Sequence, residues 1–250
     1  MLMLYFSGTG NSKFIANSFS KKTGALCYSI ETDMNFSKEI LNHDTIGFCY
    51  PTYGGCVPRI MREFVVKHTK DLKDKKLIIF CTQLMFSGDG ARAFMDLLPK
   101  NHVNVIYAEH FNMPNNICNA PIFSVKNGAA IEKCLREAEV KMDKVCKNIN
   151  EGKVIKRGFN SFSHILGLCQ SSYWPAIEKK NESNIKVDAS CISCNLCVNV
   201  CPMKNLTSGP KGIEQNNNCI VCYRCVNACP KQAITVLVHK KPKVQYKGIK

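Results

Sequence analysis

Eight of the chain's 16 cysteines fall into two copies of one run, Cys191-x2-Cys194-x2-Cys197-x3-Cys201-Pro202 and Cys219-x2-Cys222-x2-Cys225-x3-Cys229-Pro230. Three thiolates at this spacing can wrap one face of an iron–sulfur cube, while a fourth cysteine followed by proline turns away from it. Zinc is a poorer reading, because zinc knuckles use two CxxC pairs for one four-thiolate ion, and two three-cysteine runs with the same trailing Cys-Pro are surplus to that. A disulfide framework would need an oxidising compartment, and no segment of the chain supports export. Two [4Fe–4S] clusters are the chemistry this spacing supports.

The same double run resembles the bacterial two-cluster ferredoxins over residues 186–238. The resemblance implies a small α+β ferredoxin-like domain with cross-laced ligands. Cluster I would sit on Cys191, Cys194, Cys197 and Cys229, and cluster II on Cys219, Cys222, Cys225 and Cys201. The other eight cysteines (27, 49, 56, 81, 118, 134, 146 and 169) show no metal spacing and mostly lie among apolar residues, as small core side chains do.

A ferredoxin module uses only the last part of a 250-residue chain, and about 185 residues precede it. That is enough for a second domain with its own core. The formal net charge is +15, so acidic partners are favoured, above all an acidic redox protein. The lysines are scattered, with local clusters at His239-Lys240-Lys241-Pro242-Lys243 and around Lys153, Lys156 and Arg157. The basic tail interleaves only Tyr246, which argues against a nucleic-acid surface. No apolar run approaches the ~18 residues of a membrane span. The opening Met1-Leu2-Met3-Leu4-Tyr5-Phe6 lacks a basic leader and a cleavage site and reads as a buried first strand. A cytoplasmic, reducing and anaerobic setting is expected.

Residues 1–150 alternate between two periodicities. Met1–Phe6, Ala25–Ile30, Thr45–Tyr50, Lys76–Cys81 and Val103–Ala108 are short β-compatible apolar runs. Ser12–Lys22, Val57–His68, Gly90–Leu98 and Ala129–Asn150 read as helices, and a further, poorly patterned one should lie between Ile30 and Asp44. The alternation predicts an α/β fold with a doubly wound, five-stranded parallel sheet.

The loop after the first strand, Ser7-Gly8-Thr9-Gly10-Asn11-Ser12, is rich in glycine and hydroxyls and opens a helix. A triphosphate loop would need Gly-Lys-Ser/Thr, and a dinucleotide loop a third glycine at position 13, which is lysine. The remaining reading is a phosphate cradle of backbone N–H groups at a helix N-terminus. Ser-x-Thr-Gly-Asn-Ser/Thr at this place resembles the FMN-phosphate loop of flavodoxins, with Ser12 where threonine is commoner. That resemblance implies FMN, with the isoalloxazine ring bracketed by Pro51-Thr52-Tyr53-Gly54-Gly55 after strand three and by Thr82-Gln83 and Phe86-Ser87-Gly88-Asp89 after strand four. Tyr53 and Phe86 are the expected ring neighbours, Tyr50 and Phe111 core residues. Asp89 is expected to cap the following helix with its side chain and meet the ring through its backbone. The Gly54-Gly55 pair lowers the steric cost of a peptide turning beside the flavin, which would suit one-electron steps. It also suits an ordinary tight turn.

The whole chain resembles the flavodoxin–ferredoxin fusion proteins of anaerobic bacteria and archaea, including at Met113-Pro114-Asn115-Asn116. It divides into a flavodoxin-like domain (1–150), an amphipathic segment (151–185), a 2[4Fe–4S] domain (186–240) and a basic tail (241–250). Packing between the domains is the default for 151–185, with a flavin cover or a docking surface as alternatives; Trp174 is placed with the packing. The expected function is a relay of single electrons between the clusters and FMN within one chain. The alternative is an FMN-dependent reductase of a small acceptor such as a quinone, nitro compound or enone. The oligomeric state is left open.

Overall fold

The computed structural model describes residues 1–120, 125–126, 128–210 and 212–249. The chain runs β1 (Leu2–Tyr5), α1 (Asn11–Thr23), β2 (Leu26–Ser29), α2 (Phe36–Leu41), β3 (Thr45–Pro51), α3 (Arg59–Lys67), β4 (Lys76–Gln83), a 3-10 turn (Arg92–Leu97), β5 (Asn104–Asn112), α4 (Gly128–Asn150), β6 (Ile155–Lys156), α5 (Ser161–Ser171) and α6 (Trp174–Asn181). The cluster region adds β7 (Lys186–Val187), α7 (Leu196–Asn199), β8 (Leu206–Gly209), β9 (Gly212–Gln215), α8 (Arg224–Ala228) and β10 (Ile234–Thr235).

β1 to β6 form one parallel sheet in the order β2-β1-β3-β4-β5-β6. Both faces are covered, which is why the central strands read as unbroken apolar runs. Period-2 alternation divides them. Leu2, Leu4, Ile46, Phe48, Leu77 and Ile79 face the layer containing α2, α3 and the 3-10 turn. Met3, Cys49, Ile78 and Phe80 face α1 and α4. Tyr50 and Phe111 are fully buried, as expected of core residues. α1 starts at Gly10 (φ 101°) and stops at Gly24 (φ 70°), whose N–H bonds the Ser20 carbonyl, a left-handed glycine stop.

Among the described residues the sheet has six strands, not five. The extra one, β6, pairs only through Ile155 and Lys156 with Tyr107 and Ala108, and two residues are too few to carry a period. The expected helix at Gly90–Leu98 is a short 3-10 turn over Arg92–Leu97. Pro99 disfavours helical geometry at Leu98, which is extended (φ −120°, ψ 149°).

The cluster region repeats itself in backbone conformation. Ser193, Asn195 and Lys204 have positive φ, and so do Val221, Tyr223 and Gln232, their counterparts in the second copy of the run. A β-branched residue such as Val221 enters this region only when its surroundings demand it. Here the demand comes from a chain winding tightly through its cysteines. β7 pairs antiparallel with β10, and β8 with β9. Among the described residues, no helix is long and apolar enough to cross a membrane.

One buried group gives the flavodoxin-like half a pH dependence. His110 is 3% exposed, and its Nε2 accepts from the Ala91 N–H at 3.3 Å. Burial, then Arg157 and Lys141, push its pKa down to about 4. The unfolded chain therefore takes up a proton near pH 6.5 that the folded chain refuses until about pH 4. Stability from this group is full above pH 6.5 and falls as the pH drops, by roughly 3 kcal/mol at the bottom of the window. Denaturant midpoints between pH 7 and 4.5 should show the decline, and a His110→Gln variant should flatten it; an equal slope in both would exclude His110 as the source.

Candidate functional site

The loop between β1 and α1 is braced by its own side chains. The Gly10 N–H donates to Ser7 Oγ at 3.0 Å. Asn11 Nδ2 donates to the Pro114 carbonyl at 2.8 Å, and Ser12 Oγ meets Thr82 Oγ1 at 2.8 Å. These bonds tie the loop to the carboxyl ends of β4 and β5, where a crevice in such a sheet is expected to bind a ligand. A cavity of about 590 Å³ opens there. Its walls are Ser7, Gly8, Thr9, Asn11 and Ser12, then Pro51, Thr52, Tyr53, Gly54 and Gly55, then Thr82, Gln83, Leu84, Met85 and Phe86. Pro114–Ile117 form a fourth wall, and Gln170, Tyr173, Trp174, Ile177, Val221, Tyr223 and Leu237 close it.

Tyr53 lines the interior and Phe86, half exposed, stands at the rim. Gly10 lies behind the loop, against Ile249. Ser87, Gly88 and Asp89 lie outside the residues that line this cavity. Ser87 Oγ bonds Gln83 Oε1, and Gly88 packs against the Gly167 backbone of α5. The Asp89 carboxylate accepts from Arg92 Nε at 3.0 Å and from His164 Nδ1 at 2.9 Å, not from the backbone N–H groups of a helix start. The reason is α5, which lies over this turn and supplies His164 and Gly167.

Three residues that line the cavity each carry a buried polar atom with no hydrogen-bond partner: Tyr53 Oη, Gln170 Oε1 and Trp174 Nε1. Buried polar atoms are almost always satisfied, so these call for a ligand with polar edges. A helix-terminal phosphate loop at one end and aromatic walls with unspent donors and acceptors at the other fit FMN. Gln170 and Trp174 carried no local signal, because α5 and α6 reach the cavity only through tertiary packing. The 114–117 wall did carry one, the Pro-Asn-Asn run. The segment 151–185 packs as well as covers: Arg62 pairs with Glu178 at 2.5 Å and Arg59 with Glu182 at 3.2 Å, while the Cys219 N–H donates to the Glu182 carbonyl at 3.1 Å.

The eight motif cysteines gather around two hollows. One is lined by Cys191, Cys194, Cys197 and Cys229, the other by Cys201, Cys219, Cys222 and Cys225. Among the described residues, no three such side chains converge on one point as a single ion requires; a cube holds its ligands at separate corners. Backbone N–H groups aim at the sulfurs in matching pairs. Ser193 donates to Cys191 and Val221 to Cys219 at 3.4 and 3.3 Å, and Asn205 to Cys201 and Ala233 to Cys229, both at 3.3 Å. Burial pushes the Cys219 thiol up to about 11 and the Cys222 thiol up to about 12. Thiolates so buried need a positive centre between them, and iron meets that need. The two sets differ in exposure: in the first Cys194 is exposed, Cys191 partly so, and Cys197 and Cys229 are buried, whereas in the second only Cys201 is partly exposed and Cys219, Cys222 and Cys225 are buried.

The second set touches the first site. Val221 and Tyr223 wall the cavity, and a Cβ added to Gly8 would stand 2.7 Å from the Cys222 carbonyl oxygen. Arg224 locks this contact. Its Nη2 donates to the Ser7 carbonyl at 2.7 Å, its Nε to the Gly8 carbonyl at 3.0 Å, and its Nη1 to the Val200 carbonyl at 3.1 Å. Both terminal nitrogens also pair with Glu31 at 2.8 Å.

Residues 2–153 match the family model described as "Flavodoxin domain", and residues 190–234 match the one described as "4Fe-4S dicluster domain". No curated protein matches. A solution structure of two-electron reduced flavodoxin from Megasphaera elsdenii is 24% identical, covering 56% of this chain and 99% of its own at a TM-score of 0.40. A flavoprotein in complex with FMN from Lactobacillus acidophilus is 14% identical, covering 44% and 91% at 0.36. A WrbA-like flavodoxin from Agrobacterium tumefaciens is 16% identical, covering 61% and 98% at 0.41. The two domain matches carry FMN and two [4Fe–4S] clusters as cofactors and make the chain an electron-transfer flavin and iron–sulfur protein. Since the first match spans more than half of its length, the chain belongs to the flavodoxin-domain family, with a 4Fe-4S dicluster domain fused behind it.

Proposed function

We propose that this chain relays single electrons internally, between two clusters and one flavin, to or from a redox partner. The observation that carries the reading is the shared wall: the Cys219–Cys225 loop abuts the Ser7–Ser12 loop and lines the same cavity. In this reading Ser7–Ser12, Pro51–Gly55, Thr82, Gln83 and Phe86 hold FMN. Cys191, Cys194, Cys197 and Cys229 hold cluster I, and Cys201, Cys219, Cys222 and Cys225 hold cluster II. When bound, FMN supplies a centre able to take one or two electrons, and each cluster a centre for one.

What the residues do follows from their burial. Tyr223, Val221 and Arg224 keep water out of the gap between the second cysteine set and the phosphate loop, and Trp174 covers the cavity from the side. The exposed Cys194 and the partly exposed Cys191, with Ile192 56% exposed beside them, support an outer port, so in this reading the order is partner, cluster I, cluster II, flavin. A net charge of +15 supports an acidic redox protein as that partner. Turnover of a small acceptor has less support. Burial raises the Tyr53 phenol and the Cys56 thiol, and Cys56 Sγ is turned toward the Ser171 carbonyl, so neither is a ready proton donor.

The test is an anaerobic count followed by a kinetic trace. Purified protein should hold about eight iron atoms and one FMN per chain. Photoreduction of the clusters should then bleach the flavin at a rate independent of protein concentration. Flavin left oxidised, or reduced only in proportion to protein concentration, would remove the internal relay.

A further inference from the structure

The basic tail is, over its described part, a built element. Lys243, Val244 and Lys247 point outward, but Pro242, Gln245 and Tyr246 are buried, Tyr246 almost completely. Gln245 Nε2 donates to the Val226 and Cys229 carbonyls at 2.8 and 2.7 Å. The Tyr246 N–H donates to Asn227 Oδ1 at 2.8 Å. Residues 245–246 are thereby fastened to the end of α8.

From that anchor the segment crosses to the other domain. Tyr246 Oη donates to Asn11 Oδ1 at 2.6 Å, while Asn11 Nδ2 holds the Pro114 carbonyl at 2.8 Å. The Asn11 amide is thus held at both ends. The chain then runs along the back of the loop. At Gly248 (φ 77°) an added Cβ would lie 3.0 Å from the Thr9 carbonyl oxygen, and at Gly10 one would lie 3.3 Å from the Ile249 nitrogen. Gly248 is needed twice over, for its left-handed backbone and for the close approach.

We infer that residues 245–249 are a strap on the phosphate half of the flavin site, pressing loop 7–12 closed from behind. The inference rests on the reading that this loop holds the phosphate of FMN. A phosphate is gripped by several backbone N–H groups at once, and these converge only while the loop keeps its curve. The loop has no basic side chain except Lys13 beyond it, so its grip depends on that shape. Tyr246 and Gln245 act through Asn11 and α8 and are positioning residues.

The experiment compares FMN with riboflavin, which has the ring and no phosphate, on the full-length chain. Dissociation constants are measured by flavin fluorescence for the unaltered protein, Tyr246→Phe, Gln245→Leu and a chain ending at Val244. Loss of one neutral hydrogen bond should weaken FMN about fivefold in Tyr246→Phe, mostly as a faster off-rate. Riboflavin affinity should move less than twofold, and iron content should not change. The shortened chain should lose at least as much FMN affinity as Tyr246→Phe. If the shortened chain fails to fold, the two point variants decide. FMN affinity unchanged in both, or FMN and riboflavin weakened equally, would overturn the strap. An unaltered protein that binds FMN no better than riboflavin would instead remove the phosphate-loop reading beneath it.

Discussion

Replacing Arg224 with alanine should cost about 3 kcal/mol and pull the two domains apart in unfolding. Five hydrogen bonds end on this guanidinium, to the carbonyls of Ser7, Gly8 and Val200 and to both oxygens of Glu31. A hydrogen bond to a charged group contributes about 1.5–3 kcal/mol, but Glu31 is partly exposed and would be rehydrated, so the sum is not recovered. The loss is set by the two loop carbonyls left buried against the Cys222 turn. Arg224→Lys should recover less than half of it, because an ammonium cannot span diverging acceptors as a planar fork does. Anaerobic denaturant titration reads the effect. Cluster absorbance and far-ultraviolet ellipticity should change together in the unaltered protein and separate in Arg224→Ala. Gly8→Ala approaches the same contact from the other side, since its methyl would meet the backbone oxygen of Cys222 at 2.7 Å. If Arg224→Ala unfolded as one transition within 0.5 kcal/mol of the parent (about the usual spread for surface changes), the interface would be held elsewhere.

Trp174→Ala should be comparably damaging and should also open the flavin cavity. The indole is 9% exposed, lies 6.0 Å from the Tyr53 ring between centroids and would sit 2.6 Å from a Cβ added to Gly54. Truncating such a residue costs about 3–5 kcal/mol. Packing and hydrogen bonding can be told apart. Trp174→Phe keeps most of the volume and removes Nε1, a buried donor with no partner, so if that donor serves FMN, FMN affinity should fall several-fold with little loss of stability. Gly54→Ala should do the reverse: strain at φ 54° and a displaced indole, at roughly 1–3 kcal/mol. Trp174 is the only tryptophan of the chain, so its fluorescence reports the site directly and should be quenched as FMN binds. An emission unmoved by saturating FMN would put the ring elsewhere.

The parts of this protein legible in its sequence are those whose physics is local. The cysteine runs state their own spacing. The strands from Leu2 to Asn112 are legible because burial on both faces removes polar residues, and the phosphate loop because only glycine and small hydroxyls fit a tight strand-to-helix turn. What was illegible is held by distant partners. Asp89 looked like a helix cap because Ser-Gly-Asp before an apolar run does so in most proteins; nothing nearby announced His164. Packing was expected of 151–185, but no local signal named its partners: Glu178 and Glu182 pair with arginines of α3. The tail's lysines concealed Gln245 and Tyr246, whose partners lie on α8 and at Asn11. Two ion-pairing residues or one buried amide leave no period to detect.

The unequal burial of the two cysteine sets also fixes how this molecule ages. Sulfur oxidation follows access, and the most open sulfur is Cys194; Cys191 and Cys201 are partly exposed, and Cys219, Cys222 and Cys225 are buried. Air is therefore expected to strip first the centre proposed on Cys191, Cys194, Cys197 and Cys229. Under the proposed relay order, the chain left behind would keep its flavin but lose its port to the partner, so corrosion would silence the protein before it made the flavin a source of stray reduction.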